Sequence, residues 1–264
     1  MTTDSIERAA RILSEYRLGD ELFAGLPADC RPGDMAAAYR VQDRLHERLR
    51  TAGRGSVVAH KIGCTTEVMQ SYLGIHNPCA GGIPAKALYR GEADLRYDDF
   101  RRVGVECEIA ILLGDDLTAG TSPHDRRSVA PAVAACMAAI EIVDDRYVDY
   151  RTLDTPTLIA DDFFNAGAVL GATVEDWQGL DLAGLEGRMR INDACFGSGL
   201  GADILGHPLN ALAWLANALN ARKRVLRAGQ IVLLGSVVQT QWLGAGDVVE
   251  VEIDRLGGVK ASFS

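Results

Sequence analysis

Apolar positions in the first fifty residues recur three or four residues apart, as on one face of a helix. Two such stripes are present, Ile6, Ala9, Ala10 and Leu13 in the first and Ala38, Val41, Leu45 and Leu49 in the second. We expect Ser5 to cap the first helix, Asp34 to cap the second and Gly53 to end the second. The pattern predicts an N-terminal helical segment, residues 1–55, that serves the core or a subunit contact.

From residue 56 onward the apolar stretches are shorter and are bounded by turn residues, which is typical of strands. Strands are predicted at 56–64, within 103–116, and at 137–143, 163–171 and 225–239, and hairpins at 188–195 and 248–263. One helix is predicted from His207 to Ala221, with Pro208 in its first turn. Strands outnumber helices and most are joined as hairpins, which favours an α+β fold in one structural unit, residues 56–264, over a doubly wound sheet.

Four segments have a less regular pattern. Residues 65–74 suggest a short helix, and the Gly- and Pro-rich residues 75–89 suggest a loop that lines a pocket mouth. Residues 126–139 contain a helix or a strand, and the pattern does not separate the two. The polar and aromatic segment 144–162 is long for a connection, so we interpret it as a site wall or lid.

The segment Val103–Asp116 places two carboxylates inside an otherwise apolar strand. Side chains alternate between the faces of a strand, so Glu106 and Glu108 share one face, about 6.6 Å apart. Like charges at that spacing are unfavourable unless the face is solvated, a proton is shared or a cation is bound. The same face continues as Ala110 and Leu112, which favours a cavity over solvent.

A third acid, Glu141, lies between Ile140 and Ile142 in another short apolar run. Three carboxylates that converge from two strands form a set of hard oxygen ligands, which suits Mg²⁺ or Mn²⁺ better than zinc. Three protein ligands also leave positions on the ion for a substrate. We therefore expect Glu106, Glu108 and Glu141 to bind a divalent metal.

Lys61 is the candidate cation for the same cavity. In the strand predicted at 56–64, His60 and Lys61 face opposite ways, and Gly63 permits close approach of the backbone. A lysine among apolar neighbours is unfavourable unless it meets a carboxylate or a ligand. A bridge from Lys61 to a purely structural acid is the alternative.

Composition and charge exclude several classes of function. The 264 residues carry a formal net charge of −9, whereas nucleic-acid and anionic-membrane surfaces need clustered Lys and Arg. No apolar run reaches the length of a membrane span, and the polar N-terminus lacks a targeting pattern, so we expect a cytoplasmic protein with neither nucleic acid nor membrane as a partner. The six cysteines form no CxxC pair, which argues against zinc or redox motifs.

The motifs that carry this chemistry resemble a known family. Glu106-x-Glu108-Ile-Ala, Ile140-Glu141-Ile-Val, His60-Lys61-Ile-Gly63, Gly206-His-Pro-Leu-Asn-Ala and Leu226-Arg-Ala-Gly229 are similar to blocks of the 2-keto-4-pentenoate hydratase and 2-oxo-3-hexenedioate decarboxylase branch of the fumarylacetoacetate hydrolase superfamily. The blocks occur in the same order from about Tyr39 to the C-terminus. The resemblance implies a twisted, roll-like mixed β-sheet with helices packed outside.

The resemblance also implies a reaction and roles for particular residues. The expected reaction is metal-dependent addition of water to a 2-hydroxy-2,4-dienoate, a small anionic substrate from aromatic catabolism, by a homo-oligomer. Lys61 carries a proton or stabilises an oxyanion, and Asp161 positions water. Ser236 and Gly235 lie where the superfamily holds a substrate carboxylate. Phe164, with Phe163, replaces smaller residues of the hydratases, as Cys79 replaces an aspartate, so a mostly apolar substrate tail is expected.

Three other functions remain open at this point. A 2-oxo-3-enedioate decarboxylase would share the metal site but needs a second cation for the remote carboxylate. Arg146 is the cation nearest in sequence, and it can equally pair with Asp144, Asp145 or Asp149. A C–C bond hydrolase acting on acylpyruvates lacks a histidine placed to activate water, and a non-catalytic homologue would have no use for the metal and lysine positions.

Overall fold

The computed structural model describes residues 1–66, 70–71 and 74–264, in which twelve strands form two sheets. The seven-stranded sheet has the order β2-β1-β10-β5-β6-β7-β3, and the five-stranded sheet has the order β4-β12-β11-β8-β9. In chain order the strands are β1 Val57–Gly63, β2 Cys79–Pro84, β3 Leu88–Arg90, β4 Glu92–Leu95, β5 Val103–Leu113, β6 Val133–Asp144, β7 Asn165–Leu170, β8 Glu186–Ile191, β9 Ala194–Leu200, β10 Ile231–Trp242, β11 Asp247–Ile253 and β12 Gly257–Phe263.

The described α-helices lie outside the sheets. They are α1 Thr3–Leu18, α2 Met35–Leu49, α3 Arg126–Val129, α4 Thr155–Ala160 and α5 Pro208–Ala221, and none of them is long and apolar enough to cross a bilayer. The α+β class predicted from the sequence is confirmed. The buried stripes of α1 and α2 join the main core, and Gln42 fixes α2 by donating to the carbonyls of Ala80 and Ile159.

The two predicted helix caps differ in outcome. Asp34 caps α2, because its carboxylate accepts the N–H of Ala37 at 2.7 Å. Ser5 does not cap α1, since the Thr2 hydroxyl accepts the Ser5 N–H and the helix therefore begins at Thr3. Both threonine and serine satisfy the free N–H groups of a first turn, so the sequence offered two equivalent starts.

The inner face of the seven-stranded sheet is lined mostly by small and aliphatic residues. They form a core of their own, made of Ala59, Ile83, Ala110, Met137, Ala139, Ala168, Leu170, Ile231 and Leu233. The opposite face of β5 packs toward the five-stranded sheet, where a Cβ added at Gly187 would lie 3.1 Å from the Cys107 sulfur. Strand alternation therefore puts Glu106 and Glu108 on the inner face, continuous with Ala110.

Two segments are more regular than the sequence indicated. Residues 75–89 were expected to form a loop, which is wrong for their larger part, because β2 pairs with β1 from Cys79 to Pro84 and is buried throughout. The segment 144–162 includes α4, capped by Asp154. Residues 126–139 contain both a helix and a strand, and part of the short helix suggested at 65–74 lies outside the described residues.

His60 faces away from the inner core and is expected to make the protein sensitive to acid. Burial and the neighbouring His46, Arg224 and Arg222 lower its pKa to about 3, although Asp162 opposes the shift. The unfolded chain, with a histidine pKa of about 6.5, binds the extra proton first. Stability should therefore fall as the pH drops from about 6.5 toward 3.

Urea unfolding of wild type and His60→Gln across this window measures the contribution. The variant should lose less stability on acidification, because it has no imidazole to protonate on unfolding. Equal losses in the two proteins would assign the acid sensitivity to other groups.

Candidate active site

The register of β5 and β6 brings three glutamates together on the inner face. Glu106 lies opposite Glu141 in the antiparallel ladder, and Glu108 is two residues further along the same face. One carboxylate oxygen of each residue lies within 4.8 Å of the others. Glu108 and Glu141 have no exposed surface, and Glu106 is half-buried. The three predicted metal ligands thus form one compact cluster.

Glu108 is oriented by the backbone of β10. Its Oε2 accepts the Gly235 N–H at 2.7 Å. Gly235 has a φ of +126°, and a Cβ at this position would lie 2.7 Å from the Thr65 side chain. Only glycine fits both the conformation and the space, so this residue fixes the carboxylate of Glu108.

Glu141 and Glu106 are oriented by side chains. Glu141 Oε1 accepts the Asn165 amide at 2.9 Å and lies 3.1 Å from the Lys61 ammonium. The Thr240 hydroxyl donates to Glu106 Oε1. Each carboxylate is therefore held through one oxygen by a neighbouring backbone or side-chain group.

The remaining oxygens of the two fully buried glutamates fit a cation. Glu108 Oε1 and Glu141 Oε2 are buried and accept no hydrogen bond from the described part of the chain. A buried carboxylate oxygen without a partner is strongly unfavourable, and native proteins rarely leave one so. Oxygen-only donors at this separation suit a hard divalent ion, so the residues present match the metal predicted from the sequence.

The pKa values of Glu106, Glu108 and Lys61 are all raised, which favours the neutral form of the two acids and the charged form of the lysine. Burial and the neighbouring carboxylates raise the pKa of Glu108 well above its usual range and raise that of Glu106. Burial alone would lower the pKa of Lys61, but attraction to Glu141, Glu106 and Glu108 outweighs it and raises the pKa. Lys61 is therefore a held ammonium ion rather than a free base.

Lys61 lies beneath an aromatic wall. Its side chain is 3% exposed, and the ammonium lies 5.6 Å from the centre of the Phe163 ring. A Cβ at Gly63 would come within 3.3 Å of the Lys61 nitrogen and 3.8 Å of the Phe163 ring. The cation is thus confined between the strand, the ring and Glu141, and the glycine leaves room for it.

The wall consists of three consecutive residues with a left-handed backbone. Asp162, Phe163 and Phe164 have φ values of 58°, 48° and 67°, a conformation that costs about 1–2 kcal/mol per non-glycine residue. Asp162 secures it, because its Oδ1 accepts the Gly82 N–H at 2.8 Å and lies 2.7 Å from the His46 ring. Strain of this kind tends to persist where function requires a particular geometry.

Asp161, predicted to position water, is engaged in a buried ion-pair network. Its Oδ2 accepts hydrogen bonds from Arg146 at 2.7 Å and from Tyr147 at 2.8 Å, and its Oδ1 lies 3.4 Å from Arg17. Arg146 also donates to the Asn165 carbonyl. In the described part of the chain its ion pair is with Asp161 and not with Asp144, Asp145 or Asp149. Among the described residues, no hydrogen bond or ion pair joins Asp161 directly to the glutamate cluster.

The three predicted substrate-binding residues have different surroundings. The Gly235 N–H is taken by Glu108. The half-buried Ser236 hydroxyl lies 2.6 Å from the Val238 carbonyl and 3.2 Å from that of Cys107, so its single hydrogen bonds to backbone. Phe164 packs edge-on against Tyr147, with the ring centres 5.0 Å apart. Contact of these three residues with a substrate is still a prediction.

Two residues that contact the cluster were not predicted from the sequence, and Phe163, which was predicted beside the substrate tail, was not predicted as a neighbour of Lys61. Asn165, Thr240 and Phe163 contact Glu141, Glu106 and Lys61 respectively. A signal was present only for Asn165, a fully buried amide at the start of an apolar strand. Its interaction with Glu141 depends on the pairing of β6 with β7, which the sequence does not specify.

Replacing Asn165 with Leu is expected to weaken divalent-metal binding by about 10–100-fold, the usual effect of losing a group that orients a metal ligand. The amide holds Oε1 of Glu141, and without it the carboxylate is free to rotate. A titration with Mn²⁺, monitored by electron paramagnetic resonance, measures the affinity for the metal. Asn217→Leu on α5 is the matched control, because Asn217 bonds only to the backbone of His124 in the described structure. Equal metal affinities of the Asn165 variant and wild type would show that Asn165 does not orient Glu141.

Comparison with known proteins identifies the family of this fold. The profile of the fumarylacetoacetate (FAA) hydrolase C-terminal family matches residues 75–264. A 2-keto-4-pentenoate hydratase of Burkholderia vietnamiensis strain G4 is 34% identical over 263 residues, 99% of this chain and 98% of its own. A 2-hydroxyhexa-2,4-dienoate hydratase of Comamonas testosteroni is 34% identical over 86% of this chain and 85% of its own.

A solved structure has the same fold over the whole chain. The 4-oxalocrotonate decarboxylase of Pseudomonas putida G7, complexed with magnesium and adipate, superposes with a TM-score of 0.92 and covers 100% of this chain and 99% of its own. The sequence identity is 24%, so this likeness concerns the fold.

Proposed function

The chain belongs to the fumarylacetoacetate hydrolase family, and we propose that it is a divalent-metal-dependent hydratase, a hydro-lyase that adds water to a 2-hydroxy-2,4-dienoate to give a 4-hydroxy-2-oxoacid. The observation that carries the proposal is the cluster of three glutamates with two partnerless buried oxygens beside a buried ammonium ion. Relatives named as hydratases of such substrates align over nearly the whole chain. We place the reaction in aromatic catabolism and expect a homo-oligomer.

Glu106, Glu108 and Glu141 would hold the metal, which we propose to be Mg²⁺ or Mn²⁺. When bound, the ion supplies positive charge for the carboxylate and 2-oxygen of the substrate and lowers the energy of charge that develops on that oxygen. Gly235, Asn165 and Thr240 keep the three carboxylates turned toward it.

Lys61 is proposed to transfer a proton beside the glutamate cluster. Hydration requires the 2-hydroxyl of the substrate to lose its proton while carbon 5 gains one, after which carbon 4 accepts water and carbon 3 is protonated. An ammonium held 3.1 Å from Glu141 lies where it can donate to a substrate oxygen and then exchange that proton. Phe163 excludes water from the Lys61 side, which strengthens the electrostatic interactions there.

Asp161 is proposed to act through the wall rather than on water directly. Its contacts with Arg146 and Arg17 set the position of the residues that follow it, Phe163 and Phe164. The same contacts bear on the decarboxylase alternative. The Arg146 guanidinium already binds a carboxylate, so it is a poor candidate for the remote carboxylate of an enedioate, and we prefer hydration of a substrate with a mostly apolar tail.

A substrate panel tests this proposal. The Mg²⁺-loaded protein is incubated with 2-hydroxy-2,4-dienoates of increasing apolar tail length and with 2-oxo-3-enedioates, and dienol absorbance and CO₂ release are recorded. Loss of dienol absorbance with formation of the 4-hydroxy-2-oxoacid is expected, fastest for an apolar tail. CO₂ release from an enedioate that exceeds hydration of every dienoate would replace hydratase by decarboxylase.

A further inference from the structure

A cavity of about 170 Å³ borders β6 at Ile142 and Asp144, on the face of that strand opposite to Glu141. Ile142 of β6 lines it and directly follows Glu141, and both Ile142 and the cavity residue Ala166 pack in or against the main core rather than the core of the inner face. Because neighbouring residues of a strand face opposite ways, the cavity and the cluster are separated by the sheet. The cavity is therefore a distinct place in the molecule.

Basic side chains dominate the lining of this cavity. Arg17, Arg54, Lys86, Arg96 and Arg146, here called the basic cavity residues, face only two acids, Asp99 and Asp144. Asp144 is partly neutralised by the backbone, since its Oδ1 accepts the N–H groups of Arg101 and Arg102 at 2.9 Å. The excess of positive charge in this cavity contrasts with the net charge of the whole chain, which is −9.

The basic cavity residues divide into a neutralised base and an unpaired rim. Arg17 and Arg146 are largely buried and pair with Asp161 or Asp162. The side chains of Arg54, Lys86 and Arg96 are exposed and make no ion pair or hydrogen bond with any described residue. Three like charges that have no ion-pair partner and line one concave space repel each other, and a bound anion would relieve the repulsion.

We propose that this cavity binds a small oxyanion of charge about −2, such as phosphate, sulfate or a short dicarboxylate. Arg54, Lys86 and Arg96 supply the charge-assisted hydrogen bonds that such oxygens accept, and Tyr89 adds a hydroxyl at the rim. A planar guanidinium binds two oxygens of one group at once, so two arginines favour a polyoxygen anion over chloride.

The anion would also steady the active-site wall from behind. Arg146 lines the cavity and donates to Asp161 and to the Asn165 carbonyl, and Arg17 contacts both Asp161 and Asp162. An anion bound by the rim residues lies in the same cavity as these two arginines, so its charge also attracts the two cations that hold this segment. Because it binds the folded protein only, its binding raises the melting temperature.

The test uses the full-length Mg²⁺-loaded protein and three probes, namely sulfate, inorganic phosphate and succinate, each compared with NaCl at equal ionic strength. Calorimetric titration gives the affinity, and thermal melting gives the stabilisation. The Arg54→Gln/Arg96→Gln double variant removes two rim cations, both exposed, and should bind about tenfold more weakly or worse. Arg40→Gln, an exposed arginine of α2 outside the cavity, is the matched control and should retain wild-type affinity.

Each outcome decides the proposal. Saturable binding that is lost in the double variant and kept in Arg40→Gln supports the site, and a preference for phosphate over succinate, or the reverse, distinguishes an inorganic from an organic ligand. Responses no larger than that to NaCl overturn it, as does equal binding by wild type and the double variant, which would place the anion at the metal instead.

Discussion

Glu108→Gln is expected to weaken Mg²⁺ or Mn²⁺ binding by about 100-fold or more, because loss of a charged ligand should exceed the roughly 10–100-fold effect of losing a group that only orients a ligand, while the metal-free protein stays at least as stable as wild type. The two effects have one cause. Glu108 is fully buried and its pKa is raised well above the usual range by burial, Glu141 and Glu106. A neutral amide relieves the repulsion that only a cation otherwise offsets.

Thermal melting with and without metal separates the two effects. Wild type should gain about 2.7 kcal/mol of stability at a metal concentration 100 times the Kd, and Glu108→Gln should gain little at the same concentration. Glu252→Gln, an exposed glutamate on β11, is the control and should respond to metal as wild type does. A metal-free Glu108→Gln protein that melts well below wild type would mean that the carboxylate stabilises the fold by itself.

The sequence predicted the cluster because a short apolar strand leaves few places for a charge. Glu106 and Glu108 stand out from the apolar residues of β5, and Glu141 from those of β6. Alternation alone put the first two on one face. Glu141 was included as the single acid of another short apolar run, and the ladder places it directly opposite Glu106.

The prediction of a loop at residues 75–89 failed because a strand there is made mostly of small residues. Residues 79–84, Cys-Ala-Gly-Gly-Ile-Pro, have the composition of a loop. Their place is set by a neighbour distant in sequence, since a Cβ at Gly81 would lie 2.7 Å from the Asp162 carbonyl and one at Gly82 would lie 2.5 Å from the His46 ring. Tertiary crowding, which no local pattern expresses, selects glycine here and makes the segment a strand.

The residues that orient the glutamates and the active-site wall could likewise not be predicted from the sequence. Asn165 meets Glu141 from 24 positions away, and Thr240 meets Glu106 from 134 positions away. The left-handed conformation of Phe163 contradicts its intrinsic preference and is held by contacts of Asp162 with β2 and α2. Motifs thus located the charged groups, whereas long-range pairing positions them.

Lys61→Met is expected to lower kcat by about 1,000-fold, within the range typical of a residue that transfers protons, and to change metal affinity by less than tenfold. Methionine fills nearly the same space beneath Phe163 and keeps all three glutamates. The loss therefore falls on charge and protons in the transition state, so kcat and kcat/KM should fall together.

Steady-state kinetics at saturating Mn²⁺, on the dienoate that wild type hydrates fastest, gives the measurement. Because Glu141 loses the ammonium at 3.1 Å, the metal-free variant has one more uncompensated buried charge and is expected to melt lower than wild type. Saturating metal restores that charge balance, so the kinetic defect should persist after the melting temperature has recovered. Lys223→Met, an exposed lysine after α5, controls for loss of a surface charge. If turnover recovered together with stability, Lys61 would be a structural counter-ion of Glu141, and the proton would have to be carried by another group.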